Sequence, residues 1–410
     1  MTAQHWARHP MVDAVRQLEP TIRGLADRIE ADRRLPQSLV DQLTEAQVFQ
    51  MYLPTVMGGP EVHPLTGFSV CEELARVDGS VGWCAQVAAA VTVFLPWVDP
   101  EGLAEMMAVT DRPLHLAGSA RPLGRGVRTD GGYRISGRWN FASGVAHANW
   151  FLATVLLDPV DDPTGSTAPA VNGDGEGAAP PVAKSMILPV EQGRIVANWD
   201  VVGMRGTGSD DFVIDDVEVP RRRSGARRWI AQRGEPLYRQ ELMMVATWAP
   251  TAGVAIGLAR GAIEALAELG HKTSAGSPTP LRQRANVQEA MAESEAITSA
   301  ARAFCVEAIE GAWQALLTGG DVQTAVARAQ LAITHSMNEA VRVADICFHA
   351  AGTNAISTAN RLERFLRDTH TAVQHAAGQP IHKRVAGRTL LGIDPGPLDP
   401  HRTGPSTPRR

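Results

Sequence analysis

Along the first quarter of the chain the apolar positions keep a helical period. Val12, Val15, Leu18, Ile22, Leu25 and Ile29 fall three or four residues apart, which predicts one helix. Pro36 opens a second that carries Leu39, Val40, Leu43 and Val48, and Pro54 with the Gly58-Gly59-Pro60 turn ends that unit. Two more helices are predicted over 65–77 and 80–97, the latter with Trp83, Val87, Ala88 and Val91 facing inward. At Gly118 the period shortens to that of strands. Strands are predicted at 117–119, around Tyr133, from Trp150 as a buried return strand, and at 185–189, 195–199 and 212–219. Alternation in DFVIDDVEV puts Asp210, Asp211, Asp215 and Asp216 on the solvent face and ends of the last strand. Beyond a basic run over 221–228, read as a solvated connection, the helical period returns over 246–269, 281–317, 322–350 and 362–376.

These patterns predict an α+β chain that is mostly α. An N-terminal helical domain spans 1–117, a middle, mostly antiparallel β domain 118–225, and a C-terminal four-helix bundle 226–394. Residues 158–182, rich in Pro, Gly, Asp and Ala, read as a mobile loop within the β domain, and 395–410 as a disordered Pro-rich tail.

Composition narrows the function classes. With 39 Lys plus Arg against 44 Asp plus Glu the net charge is −5, which gives no footprint for nucleic acid or an anionic membrane. No apolar run reads as a membrane span and residues 1–20 lack a signal-peptide core, so a soluble cytoplasmic protein is expected. Cys71, Cys84, Cys305 and Cys347 sit far apart in apolar helical contexts and are expected as buried free thiols. His370, His375 and His382 are five and seven residues apart, a spacing that does not pair them on one helix face, and no metal site is expected.

The stretch GGYRISGRWNFASGVAHANW, residues 131–150, carries the candidate chemistry. Trp139 and Phe141 offer walls for a flat ligand, Ser143 a hydroxyl, and Gly144 a close backbone approach. Spacing alone leaves a sheet corner with a turn serine as the alternative. Gly203-Met-Arg-Gly206-Thr-Gly208 looks like a dinucleotide loop, but a strand follows it where a helix is required, so the Rossmann reading fails.

In order along the chain, RRLPQSLVDQL, MGGPEV, DGSVGWC, AGSARPLG, SGRWNFASG, GMRGTGSDDFVIDDVEVP and RFLRDTHTAVQH resemble landmarks of the acyl-CoA dehydrogenase superfamily. The closer likeness is to its oxygen-using branch, the oxygenase components of two-component flavin monooxygenases. The resemblance implies that superfamily's fold and a homotetramer. It implies reduced flavin, FMNH2 or FADH2, supplied by a separate NAD(P)H-dependent reductase, with O2 as co-substrate. The implied reaction inserts one oxygen atom into a small aromatic or heteroaromatic molecule through a C4a-hydroperoxyflavin.

Residue by residue, the resemblance sets Ser143 near flavin N5 and His375 near the reactive edge, with Trp139, Phe141, Arg205, Thr207 and Ser209 as flavin contacts. Ser119, Trp83, Val91 and His115 line the implied substrate pocket. Ala376 stands where dehydrogenases carry a glutamate base after the Arg367-Asp368 motif, and a methyl group takes no proton. Val91 stands where phenol-hydroxylating relatives carry a histidine, which leaves His115 and His147 as other bases or a substrate that is not a simple phenol. Two rivals stand beside this reading: an acyl-CoA dehydrogenase with a relocated base, and a non-catalytic member of the same fold.

Overall fold

A computed structural model describes residues 5–108, 113–158, 181–225, 236–274 and 277–394. The loop expected over 158–182 and the tail expected over 395–410 lie outside them, except for residues 158, 181 and 182. By packing, the chain forms two compact units. One takes Met1–Ala90, Asp200–Thr207 and Glu235–Pro395, the other Val91–Trp199 and Gly208–Gly234.

The first unit is helical. Helices α1 (Pro10–Gln17), α2 (Glu19–Asp32), α3 (Gln37–Glu45) and α4 (Pro64–Val77) are followed by α5 (Gly79–Thr92), of which all but the end belongs here. The single helix expected over 12–29 breaks at Leu18, because Pro20 stands in the first turn of α2 and has no N–H to continue the preceding ladder. Asp78 starts α5: its carboxylate accepts the amides of Ser80 at 2.9 Å and Val81 at 3.2 Å.

The other unit begins with α6 (Pro100–Ala108), then strands β1 (Leu116–Arg128), β2 (Gly132–Trp139), β3 (Trp150–Leu157), β4 (Val182–Pro189), β5 (Arg194–Val196) and β6 (Asp211–Pro220). They form one sheet in the order β4-β3-β1-β2-β6-β5, antiparallel except where β1 runs beside β3. The return strand expected to pair with its predecessor does not: β3 lies between β1 and β4. Its apolar run, interrupted only by Thr154, is what an inner strand covered on both faces requires. On the inner face Trp139, Phe151, Phe212, Ile135 and Ile214 form the core. Gly124 makes room for the Trp139 indole, since a Cβ there would stand 2.4 Å from the ring.

The acidic cluster and the basic run also depart from expectation. Asp215 and Asp216 are exposed, but Asp211 is buried against Arg138, and Asp210 accepts the amides of Asn198 and Trp199, each at 2.8 Å. Arg222 and Arg223 both pair with Glu105 of α6, and the Arg223 guanidinium lies 5.3 Å from the Trp150 ring centre. These arginines anchor α6 to the sheet instead of standing free in solvent.

The first unit resumes with α7 (Met243–Glu268), α8 (Ala285–Thr318), α9 (Val322–Ala351), α10 (Arg361–Ala372) and α11 (Ile381–Leu390). Helix α10 stops at Ala372, before the end expected at 376, and α11 was not anticipated. Helix α7 is uncharged from Met243 to Ala259 and closely packed, with Arg260, Glu264 and Glu268 paired on one face beyond it. A Cβ at Gly253 would stand 2.1 Å from the Phe68 carbonyl oxygen, at Gly257 2.3 Å from that of Glu72, and at Gly261 2.3 Å from the Phe365 ring. By length and composition Gln240–His271 and Gly79–Trp97 do suffice to cross a membrane, contrary to the sequence expectation; 83% and 78% of their apolar windows are buried within the protein. The four cysteines are buried and free.

Candidate functional site

Within the sheet unit, the segment after β2 turns a sharp corner. Phe141 takes φ +60° and Gly144 φ +73°, both left-handed. The Ser143 amide donates to the Phe141 carbonyl at 2.9 Å and that of Ala142 to the Asp210 carbonyl at 3.1 Å, so backbone bonds fix the corner from both sides. The structure brings Ser143 and Ser209 together: their hydroxyl oxygens are 2.6 Å apart and both residues are buried. One proton lies between the two oxygens. Phe141 remains 59% exposed, its ring edge-on to Trp199 with centres 5.9 Å apart.

Trp139 does not join them. It is 0% exposed, its Nε1 donates to the Thr154 carbonyl at 3.1 Å, and its ring meets Phe151 edge-on. The expected ligand wall is a core residue, because β2 alternation turns Trp139 inward with Ile135. Ser119 is half-buried near a register shift in β1, and its hydroxyl accepts the Arg121 amide at 3.3 Å. His115 is buried, with its backbone tied to Asn149, and burial followed by the neighbouring His147 pushes its pKa down to about 3. Such an imidazole is a poor base. Val91 is 7% exposed.

In the helical unit His375 stands just past α10 and starts the short turn Ala376–Gly378. Its Nδ1 accepts the Ala377 amide at 3.2 Å, so the proton of the neutral ring is on Nε2. Burial first, then His382, lowers its pKa to about 4, and the ring is neutral at pH 7. Two indoles meet it edge-on: Trp83 of α5 at 5.4 Å between ring centres and Trp248 of α7 at 6.3 Å. Trp248 also meets His382 at 4.9 Å, and His382 donates Nε2–H to the Ala376 carbonyl at 2.9 Å while its buried Nδ1 has no hydrogen-bond partner. Both imidazoles are thus uncharged donors in an aromatic setting. His370 stands apart, with Nε2 2.9 Å from Asp345.

In the same unit the segment Val201–Thr207 forms a tight turn. Arg205 donates Nη1 to the Val201 carbonyl at 2.6 Å and pairs with Asp200 at 3.4 Å, and the buried Thr207 donates to the Met204 carbonyl at 2.9 Å. Sequence reasoning missed Trp248 and His382 at the imidazole cluster. Trp248 sits in the uncharged first part of α7, where no charged position sets it off, and His382 was weighed only as a metal ligand.

Residues 9–97 match the family model for the acyl-CoA dehydrogenase N-terminal domain and 249–380 that for the C-terminal domain. The chain is 30% identical over 406 residues to the flavin-dependent monooxygenase oxygenase subunit HsaA of Mycobacterium tuberculosis, covering 93% of this chain and 95% of that one. It is 29% identical over 387 residues to the indole-3-acetate monooxygenase of Pseudomonas putida, covering 92% and 94%. The crystal structure of the M. tuberculosis HsaA monooxygenase superposes with a TM-score of 0.81 at 27% identity, over 97% of this chain and 99% of that one. The chain therefore belongs to the acyl-CoA dehydrogenase superfamily, among the oxygenase subunits of its flavin-dependent monooxygenases.

Proposed function

We propose that this protein is a cytoplasmic homotetramer that takes reduced flavin, FMNH2 or FADH2, from a separate NAD(P)H-dependent reductase. With O2 it transfers one oxygen atom to a small aromatic or heteroaromatic molecule. The balance is one substrate C–H, N or S centre, one O2 and one reduced flavin giving the oxygenated product, water and oxidised flavin. When bound, the flavin supplies the two electrons that activate O2. The observation that carries this reading is His375, a neutral imidazole fixed as an Nε2–H donor between two indoles.

The chain's own residues divide the work. With flavin bound, Ser143 and Ser209 would offer it a hydroxyl and Phe141 an exposed ring; in the helical unit the Arg205–Thr207 segment would be a separate flavin contact. The corner suits such a group in having a strained, close-approach backbone, paired hydroxyls and an uncovered aromatic face. His375 would donate from Nε2 to oxygen and would stay neutral while doing so, since a second proton, on Nδ1, would break the Ala377 bond and charge a ring whose surroundings lower its pKa. Of the two other bases, His115 is too weak to ionise a phenol, which leaves His147 or a substrate that reacts un-ionised.

The test is anaerobic mixing with chemically reduced FMN or FAD, then addition of 18O2 and a panel of indoles, phenols and sulfur heterocycles. One labelled oxygen atom per product is expected. No labelled product from any of them, together with bleaching of oxidised flavin by an acyl-CoA, would overturn the reading in favour of a dehydrogenase. Light scattering at micromolar concentration is expected to give four times the 43.9 kDa chain mass, and a monomer would refute the tetramer.

A further inference from the structure

The backbone between Val201 and Thr207 is held in a shape its residues do not favour. Met204 takes φ +55°, a region that side-chain-bearing residues seldom occupy. Gly203 passes so close to α10 that a Cβ there would stand 2.2 Å from the Arg367 carbonyl oxygen. Two neighbouring side chains of α10 grip this turn: Arg367 donates Nη1 to the Val202 carbonyl at 2.7 Å, and Asp368 accepts the Met204 amide. Asp368 is 4% exposed. Gly79 at the start of α5 leaves space for it, since a Cβ there would stand 3.0 Å from Asp368 Oδ2 and 3.2 Å from Met204 Sδ.

We propose that Asp368 is a positioning residue of the monooxygenase: its buried carboxyl fixes the left-handed Met204 turn and, through it, the Arg205–Thr207 segment assigned above to the flavin. The inference rests on that assignment in its last step only. Within the turn the Met204 carbonyl takes the Thr207 amide at 3.2 Å and hydroxyl at 2.9 Å, and the buried Asp368 carboxyl takes the Met204 amide, so the left-handed turn is held from both ends and neither buried group is left unsatisfied.

The carboxyl faces Asp78, whose Oδ1 already holds two α5 amides, and Glu30 of α2; Arg367 and the Met204 amide oppose their effect. Burial first, then Asp78, pushes its pKa up to about 7. Either protonation state can accept the Met204 amide, but the ionised one holds it more tightly. The grip therefore strengthens as pH rises through 7.

The test reads the turn without flavin. In the flavin-free protein, Asp368→Ala is expected to speed hydrogen exchange of the Met204–Thr207 amides about tenfold, and to weaken anaerobic binding of reduced FMN and FAD by a similar factor. Asp368→Asn, which keeps an acceptor oxygen, is expected to restore both. In the wild type, protection of the Met204 amide, corrected for its intrinsic rate, is expected to rise from pH 6 to pH 8, and in Asp368→Asn to stay level. Unchanged exchange in Asp368→Ala overturns the proposal. Faster exchange with unchanged flavin binding instead overturns the assignment of the segment to flavin, and with it the positioning role. Should Asp368→Ala not fold, Gly203→Ala displaces the same turn with the carboxyl intact and is expected to give both changes; neither change overturns the proposal.

Discussion

The serine corner and the imidazole cluster are built by opposite means. At the corner the backbone does the work: two left-handed residues, a run of main-chain bonds and the facing Asp210 carbonyl set two hydroxyls 2.6 Å apart. At the cluster the side chains do it. Trp83, Trp248, His375 and His382 come from α5, α7, a turn and α11, and they share ring edges and two bonds to the turn's backbone, at the Ala377 amide and the Ala376 carbonyl. A corner made by main-chain bonds tolerates the loss of one hydroxyl. A cluster made of rings has no such reserve, because each ring holds its neighbour in place.

The largest effect is expected from His375→Ala. Product formed per O2 consumed should fall about tenfold or more, with hydrogen peroxide making up the difference, as read by an oxygen electrode with and without catalase. An unchanged ratio would remove His375 from the chemistry. Trp248→Ala comes next: losing two edge-on ring contacts, each about 0.5–1.5 kcal/mol, should lower the melting temperature and the affinity for an aromatic product analogue together, whereas Trp248→Phe should recover most of both. A melting temperature unchanged in Trp248→Ala would show that the rings do not depend on one another.

Acid gives a smaller contrast between the two regions. The folded pKa of His375 lies below the ordinary value of 6.5, at about 4, so the unfolded chain binds the extra proton first. Its contribution to stability is complete above pH 6.5 and is lost as pH falls through about 4. His375→Phe should flatten that part of the urea-midpoint profile, and Ser143→Ala should leave its slope alone. Smallest of all, Ser143→Ala should cost about 0.5–1.5 kcal/mol of stability and change coupling only a few-fold. A collapse of coupling as deep as that of His375→Ala would erase the distinction between the regions.

How much of this was legible in the sequence follows the same division. The corner could be read because Gly144 and Ser143 interrupt an alternating pattern, and because Ser209 follows a glycine-rich turn. The helices could be read from their period. What could not be read was sheet neighbourhood: β3 looks like a hairpin return in sequence, and only the packing of its two faces assigns it to β1 and β4. Nor could alternation tell whether the Trp139 ring faced a ligand or the core, since both readings turn it inward. Trp248, His382 and Asp368 were hidden for a different reason. Each acts on a residue remote in the chain or across a helix end, and no local spacing encodes such a meeting.

The glycine seam of α7 sets where this enzyme can change in evolution or by design. Gly253, Gly257 and Gly261 are pressed against neighbouring backbone or ring atoms, so any side chain there must push its neighbours aside. Trp248 stands just over one turn before the first of them, on the same helix. A lineage can therefore exchange that ring while the seam keeps the helix beneath it in register. Freedom to vary and the loss of that freedom belong to one helix, within a span of fourteen residues from 248 to 261.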